Sequence, residues 1–136
     1  MMRNFLTLDQ FSVDESTGIV LLSSQQASEM QPTIALRQEG DYLAISTSYG
    51  ALEIALRPRL NELTHALAHL TPSDGMQTTR TIGSSESHIA VGLRTDGSLN
   101  LRPILIQDAT GFLALNFRLS SEVRKSLYEW MNVTSK

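Results

Sequence analysis

Three arginines, Arg94, Arg102 and Arg118, fall on alternating positions of three short apolar runs in the last third of the chain. A guanidinium presents a planar fork of N–H donors that matches the oxygens of a phosphate or carboxylate. Strand side chains alternate between faces, so if Ile89, Val91 and Leu93 point inward, His88, Ala90, Gly92 and Arg94 point outward. The neighbouring runs add Asn100 and Arg102, then Phe112, Ala114, Asn116 and Arg118, to that outward face. It then carries three arginines, two asparagines, a histidine and an aromatic ring, and no acidic residue. The small residues leave room for a flat ligand, and an aromatic ring can stack on a base. The expected ligand-binding set is Arg94, Arg102, Arg118, Phe112, Asn100, Asn116 and His88. An earlier group of runs places Arg37, Tyr42, Ser46 and Arg57 on the equivalent face, together with Glu53.

Other reactive side chains lack the spacing that chemistry requires. Glu62, His65 and His69 share one face of an expected helix, where two histidines four apart can chelate. That face lies opposite the apolar stripe and so is expected in solvent, and the glutamate does not stand between the histidines as a zincin requires. Ser84, Ser85, Ser87 and His88 are close in sequence, but a dyad needs an orienting carboxylate and an oxyanion hole. They read as a loop entering a strand. Gly83 and Gly92 lack both the spacing and the following helix of a phosphate cradle. No catalytic residue, metal site or cofactor is expected.

The elements that must carry the arginine face follow from periodicity. Five turn signals, 14–18, 38–41, 48–50, 95–97 and 107–111, are rich in Gly, Asp and Ser. Between them lie runs of period two: Leu43 and Ile45; Leu52, Ile54 and Leu56; Ile89, Val91 and Leu93; Leu99 and Leu101; Leu113, Leu115, Phe117 and Leu119. At Pro103 the apolar phase passes to Ile104 and Ile106, which predicts a bulge or an edge position. Two stretches turn helical. Pro58 suits a first turn, and Leu60, Leu63, Leu67 and Leu70 form a stripe ended by Thr71-Pro72. Ser120 or Ser121 caps the second helix, whose stripe is Val123, Leu127, Trp130 and Met131.

Strands followed by a helix thus occur twice, with the helix starts 63 positions apart at Leu56-Arg57 and Leu119-Ser120. Ile19–Ser23 and a run over Gln77–Ile82 serve as leading strands. The fold class expected is α+β: two repeats of an antiparallel β-meander of three to four strands, each followed by an amphipathic helix. The chain reads as a single domain, 1–136, with halves of about 19–70 and 77–133 and a linker over 71–87.

Composition narrows the role further. The net charge is −3, with nine arginines and two lysines, Lys125 and Lys136. Proteins that coat nucleic acid without specificity are usually basic, so any anion must be held locally. Residues 1–68 carry four basic and eight acidic groups, and residues 69–136 carry seven basic and six acidic, so the second half is the more favourable for an anion. There is no cysteine and no apolar run of membrane-spanning length, and Met1–Asp9 lacks the form of a secretory signal. A cytoplasmic protein without membrane contact is expected, and open sheet edges predict a homo-oligomer.

The two meanders, Thr33–Leu56 and Ser87–Leu119, each with its following helix, resemble the Whirly fold and the related single-stranded-DNA-binding coactivator domains. The likeness is one of element order and covers about Ile19 to Val133. The lysine-rich strand signature of the plant members has no counterpart, since neither lysine falls on an expected strand. The resemblance implies a non-catalytic module that binds single-stranded nucleic acid, here through the arginine face. A second likeness, in size, acidity and the run from Thr33–Leu70 to Ile89–Ile106, is to the small chaperones of type III secretion effectors. It implies an extended protein partner, bound by strand addition or in an apolar groove.

Overall fold

Period-two alternation and tight turns decide most of this fold. The computed structural model describes residues 5–26, 29–74, 78–108 and 110–133. Expectations that concern Met1, Gln77, Ala109 and Lys136 lie outside the described residues. The strands are β1 (Leu6–Leu8), β2 (Gln10–Asp14), β3 (Ile19–Ser23), β4 (Pro32–Glu39), β5 (Tyr42–Tyr49) and β6 (Leu52–Leu56), followed by α1 (Leu60–Ala68). Then come β7 (Arg80–Gly83), β8 (Ser87–Leu93), β9 (Leu99–Asp108), β10 (Gly111–Ala114) and β11 (Phe117–Leu119), followed by α2 (Ser121–Met131). The architecture is α+β, with two sheets of mostly antiparallel strands and two helices.

The first sheet is an antiparallel meander in the order β2-β3-β4-β5-β6. Two of its hairpins turn in two residues, Gly40-Asp41 and Gly50-Ala51, and the leading glycines have φ of +64° and +63°. A glycine at the first central position is what such a turn requires. The second sheet has the order β1-β11-β9-β8-β7, with β10 also paired to β9. Here the chain departs from a simple doubling. The N-terminal β1 joins the second sheet, parallel to β11, with Leu6 beside Phe117 and Leu8 beside Leu119. The next strand, β2, belongs to the first sheet. At the crossing point, Asp9 N–H donates to Ser23 O at 3.0 Å, and Asp9 Oδ1 accepts from Gln25 N–H at 2.7 Å.

Three local expectations are corrected. Pro103 causes neither bulge nor edge: β9 runs through it in register, with Ile89 on one side and the carbonyl of Pro103 accepting from Leu115 N–H on the other. In an antiparallel strand a residue's N–H and C=O face the same neighbour. The donor that proline lacks therefore falls where the third strand is itself interrupted, between β10 and β11. The register shift lies instead at Gly111/Phe112. Leu113 was expected to share the buried row of Leu115, Phe117 and Leu119, yet it is 38% exposed, because β10 stands at the sheet's end. Pro58 lies before α1 rather than in its first turn, since its carbonyl accepts from Leu43 N–H and holds the segment against β5.

The inward faces of both sheets and the stripes of both helices meet in one cluster of buried side chains. Val20, Leu22, Ile34 and Leu43 enter from the first sheet, and Leu8, Val91, Leu99, Phe117 and Leu119 from the second. Leu63 and Leu67 of α1, and Val123, Leu127 and Met131 of α2, close it. Each large side chain buried this way contributes about 1.5–3 kcal/mol. Trp130 is half-buried against the same cluster. Ser120 caps α2 by accepting from Val123 N–H at 3.2 Å, and Asn132 ends the helix in the left-handed conformation. Tyr128 of α2 donates its hydroxyl to Leu67 O at 3.5 Å, and burial pushes its phenol above the usual range. No helix of the described residues is long and apolar enough to cross a membrane.

Candidate functional site: the outward face of the second sheet

Because β8 and β9 place odd-numbered residues in the core, their even-numbered residues share the opposite face. Pairing across the sheet sets these residues in rows. Gly92 lies opposite Asn100, Asn100 opposite Arg118, and Arg118 beside Thr7 of β1. The next row holds Thr81, Ala90 and Arg102. Beyond it come Gly83, His88, Ile104 and Ala114, then Ile106 with Phe112. The face therefore grades from a polar end, with Arg94, Asn100, Arg102 and Arg118, to an apolar end, with Ile104, Ile106 and Phe112. Ala90 and Ile104 are buried, at 3% and 8% exposure, yet neither belongs to the main core.

The arginines are held by aromatic rings and by Asn100. Arg118 Cζ lies 4.6 Å from the centre of the Phe5 ring, and its Nε donates to Asn100 Oδ1 at 3.5 Å. Arg102 Cζ lies 5.7 Å from the ring of Phe112, which is 63% exposed. Arg94 follows β8, with its backbone N–H bonded to Ser98 O at 2.9 Å across the hairpin. Its Nε stands 4.0 Å from Asp96 Oδ1. Asp96 is therefore an acidic residue at the margin of a face expected to have none. The hairpin turn over 95–97 folds its carboxylate back, where it accepts from Ser98 N–H at 2.9 Å and Ser98 Oγ–H at 2.6 Å.

Electrostatics mark the polar end as charged against its own preference. Burial, and then the neighbouring Arg94 charge, lower the pKa of Arg118, while Asp96 acts the other way. Asp96 is held below the usual carboxylate range, chiefly by Ser98 and secondarily by Arg94 and Arg118. Three buried polar atoms here have no hydrogen-bond partner among the described residues: Arg94 Nε, Asn100 Nδ2 and Asn116 Oδ1. Elsewhere, the buried Thr47 hydroxyl donates to Ile54 O at 2.9 Å.

Of the seven residues expected from sequence, the polar end gathers Arg94, Asn100, Arg102, Asn116 and Arg118, and Phe112 joins through Arg102. His88 stands apart. It lies in the row of Ile104, four residues or about 13 Å along the strand from Asn100. Its Nδ1 donates to the Ser84 carbonyl at 3.2 Å, tying the ring to the β7–β8 turn. The expectation missed Phe5, Thr7 and Asp96. Phe5 and Thr7 alternate with the half-buried Leu6 and the buried Leu8, but β1 is too short for that alternation to show as a period in the sequence.

On α1, the rings of His65 and His69 stack with centroids 4.2 Å apart, and His69 Nδ1 donates to His65 O. Among the described residues no three His, Cys, Asp or Glu side chains lie close enough to hold a metal ion. The arginine face thus offers donors and ring surfaces, a chemistry of anion binding and stacking. No family model, no curated protein and no solved structure matches the chain.

Proposed function

We propose that this chain is a non-catalytic binding module that takes single-stranded nucleic acid on the outward face of its second sheet. Phosphates meet Arg94, Arg102 and Arg118, and bases lie against Phe112 and Phe5. One observation carries the reading: three arginines share a single face, with Asp96 beside Arg94 and aromatic rings against Arg102 and Arg118. A single strand fits better than a duplex, because a base must be free to stack on an exposed ring such as Phe112. The doubled order of strands and helix supports the same reading through its likeness to Whirly domains, although β1 and the broken β10/β11 strand depart from a strict repeat.

Titration of a labelled oligonucleotide, followed by fluorescence anisotropy over a range of salt, tests the proposal. Neutralising three single-strand phosphates gives a log–log salt slope of about −2. Replacing Arg94, Arg102 and Arg118 together by alanine is expected to weaken binding about a hundredfold and to flatten that slope. Wild-type affinity in the triple variant would remove the reading.

A second reading, a protein partner added as an extended strand, is favoured by the opposite edge of the same sheet. There β7 is the edge strand. Thr81 and Gly83 line a cavity of about 680 Å³ with Asn61, Glu62 and His65 of α1. Strand addition uses main-chain bonds, so a partner held there would be indifferent to the triple arginine substitution.

A further inference from the structure

We propose that Arg94, Asn100 and Arg118 form a seat for one tetrahedral oxyanion, a phosphate group, at the polar end of this face. The seat depends on the nucleic-acid reading only for what carries the phosphate; its geometry stands by itself.

Asn100 is the centre of the argument. Its side chain is 1% exposed, on a central strand, with Arg118 directly opposite on β11 and Gly92 directly opposite on β8. Arg118 Nε can only donate, so it must meet the amide oxygen, which fixes the orientation of the Asn100 amide. Nδ2 is left for the other branch, on the side where Gly92 brings no side chain. It has no acceptor among the described residues. Arg94 stands two residues beyond Gly92 on the same face. Its Nε is likewise buried without a hydrogen-bond acceptor, since Asp96 at 4.0 Å is out of range.

Two buried donors without an acceptor among the described residues, on neighbouring strands of one face, are costly to the free protein, because each has lost water without replacement. Once the side chains that cover these atoms move aside, a single oxyanion supplies acceptors to both and offsets the repulsion between Arg94 and Arg118. The donors reach the corner from the end of β8, from β9 and from β11. Three directions of approach suit a tetrahedral group better than a planar carboxylate, which one guanidinium fork already satisfies. Asp96 is a poor substitute for the ligand, since its carboxylate is occupied by Ser98.

The test is an NMR titration of the full chain with inorganic phosphate, against chloride at matched ionic strength, followed at the Asn100 amide and the arginine Nε–H signals. A saturable shift confined to Arg94, Asn100 and Arg118, with a millimolar Kd, is expected. Arg118→Lys keeps the charge but loses the fork, and should bind phosphate about tenfold more weakly. Asn100→Asp puts a carboxylate of equal size into the seat. It should abolish phosphate binding while the melting temperature equals or exceeds that of wild type, which shows that the variant folds. Absence of saturation at these residues, or wild-type phosphate binding by Asn100→Asp, would overturn the proposal. Phosphate binding without oligonucleotide binding keeps the seat and removes the nucleic-acid reading. Oligonucleotide binding that neither excess phosphate nor Asn100→Asp weakens removes the seat and leaves the wider face.

Discussion

The outward faces of the two sheets are built from the same pattern and have opposite internal economies of hydrogen bonding. On the first sheet, Ala35, Ala44 and Ala55 floor a shallow hollow of about 350 Å³, and the polar groups around it answer one another. Ser46 donates to Glu53, Thr33 and Ser48 share a hydrogen bond, and Arg57 pairs with Glu39 while stacking on Tyr42. On the second sheet, Arg94, Asn100 and Arg118 occupy neighbouring positions with Asp96 as a nearby carboxylate, and two donors have no acceptor among the described residues. A face that satisfies itself needs only water beside it. A face with surplus buried donors has a standing preference for an acceptor, and that contrast supports the proposed site.

The largest effect that could break this contrast lies in binding. If the second face alone holds the ligand, replacing Arg37 and Arg57 by alanine should change oligonucleotide affinity by less than about twofold, against roughly a hundredfold for the Arg94, Arg102 and Arg118 variant. Equal losses in the two variants would mean that the protein attracts nucleic acid diffusely. Stability gives a second comparison, between a satisfied buried group on the inner side of the first sheet and the amide on the outer side of the second. Thr47→Val in the first sheet removes a buried hydroxyl whose acceptor, Ile54 O, stays behind, and should cost about 1 kcal/mol in chemical denaturation. Asn100→Leu removes a donor with no acceptor among the described residues but also the acceptor of Arg118 Nε, so the two effects offset and stability should stay within about 1 kcal/mol of wild type. A clear loss of stability in Asn100→Leu would show that the amide serves the fold rather than a ligand.

Much of this was legible because both sheets obey a strict alternation. Once Ile89, Val91 and Leu93 are taken as core, the positions of Arg94, Asn100, Arg102 and Arg118 follow without further information. Three failures have separate physical causes. β1 has only three residues, too few to show a period, so Phe5 and Thr7 could not be assigned to a sheet that is built mainly from the other end of the chain. Pro103 read as a defect because sequence does not disclose that the neighbouring strand is broken at the matching level. Asp96 was set aside as a turn residue, although the turn that contains it folds its carboxylate back onto Arg94. That Nε of Arg94 and Nδ2 of Asn100 have no acceptor among the described residues could not be read from sequence at all, since it depends on three strands converging.

Asp96 offers a finer adjustment of the same contrast. Its carboxylate is the nearest competitor to a bound anion, so Asp96→Asn should raise oligonucleotide affinity two- to fourfold, as measured by anisotropy at fixed salt. The pH dependence has a definite sign. The carboxyl is held below its ordinary value of 3.8, so any stability it gives is present above that pH and is lost as the pH falls through its lower folded value. Over the same interval the wild-type affinity should climb toward that of Asp96→Asn. An affinity in Asp96→Asn that is lower than wild type would mean that Asp96 positions Arg94 rather than competing for it.

The smallest effect belongs to the first sheet, and it sharpens the contrast by being small. Arg57 and Glu39 form an ion pair at 3.1 Å with side chains 58% and 37% exposed. Both partners see water, so the attraction is screened and the desolvation they give up is slight. Removing Glu39 also does not strand Arg57, whose guanidinium remains 4.6 Å from the centre of the Tyr42 ring. Glu39→Ala should therefore cost less than about 0.5 kcal/mol, read as a shift in denaturation midpoint at unchanged slope. A cost several times larger would imply that the first face is as short of alternatives as the second. Surplus donors would then no longer distinguish the two faces.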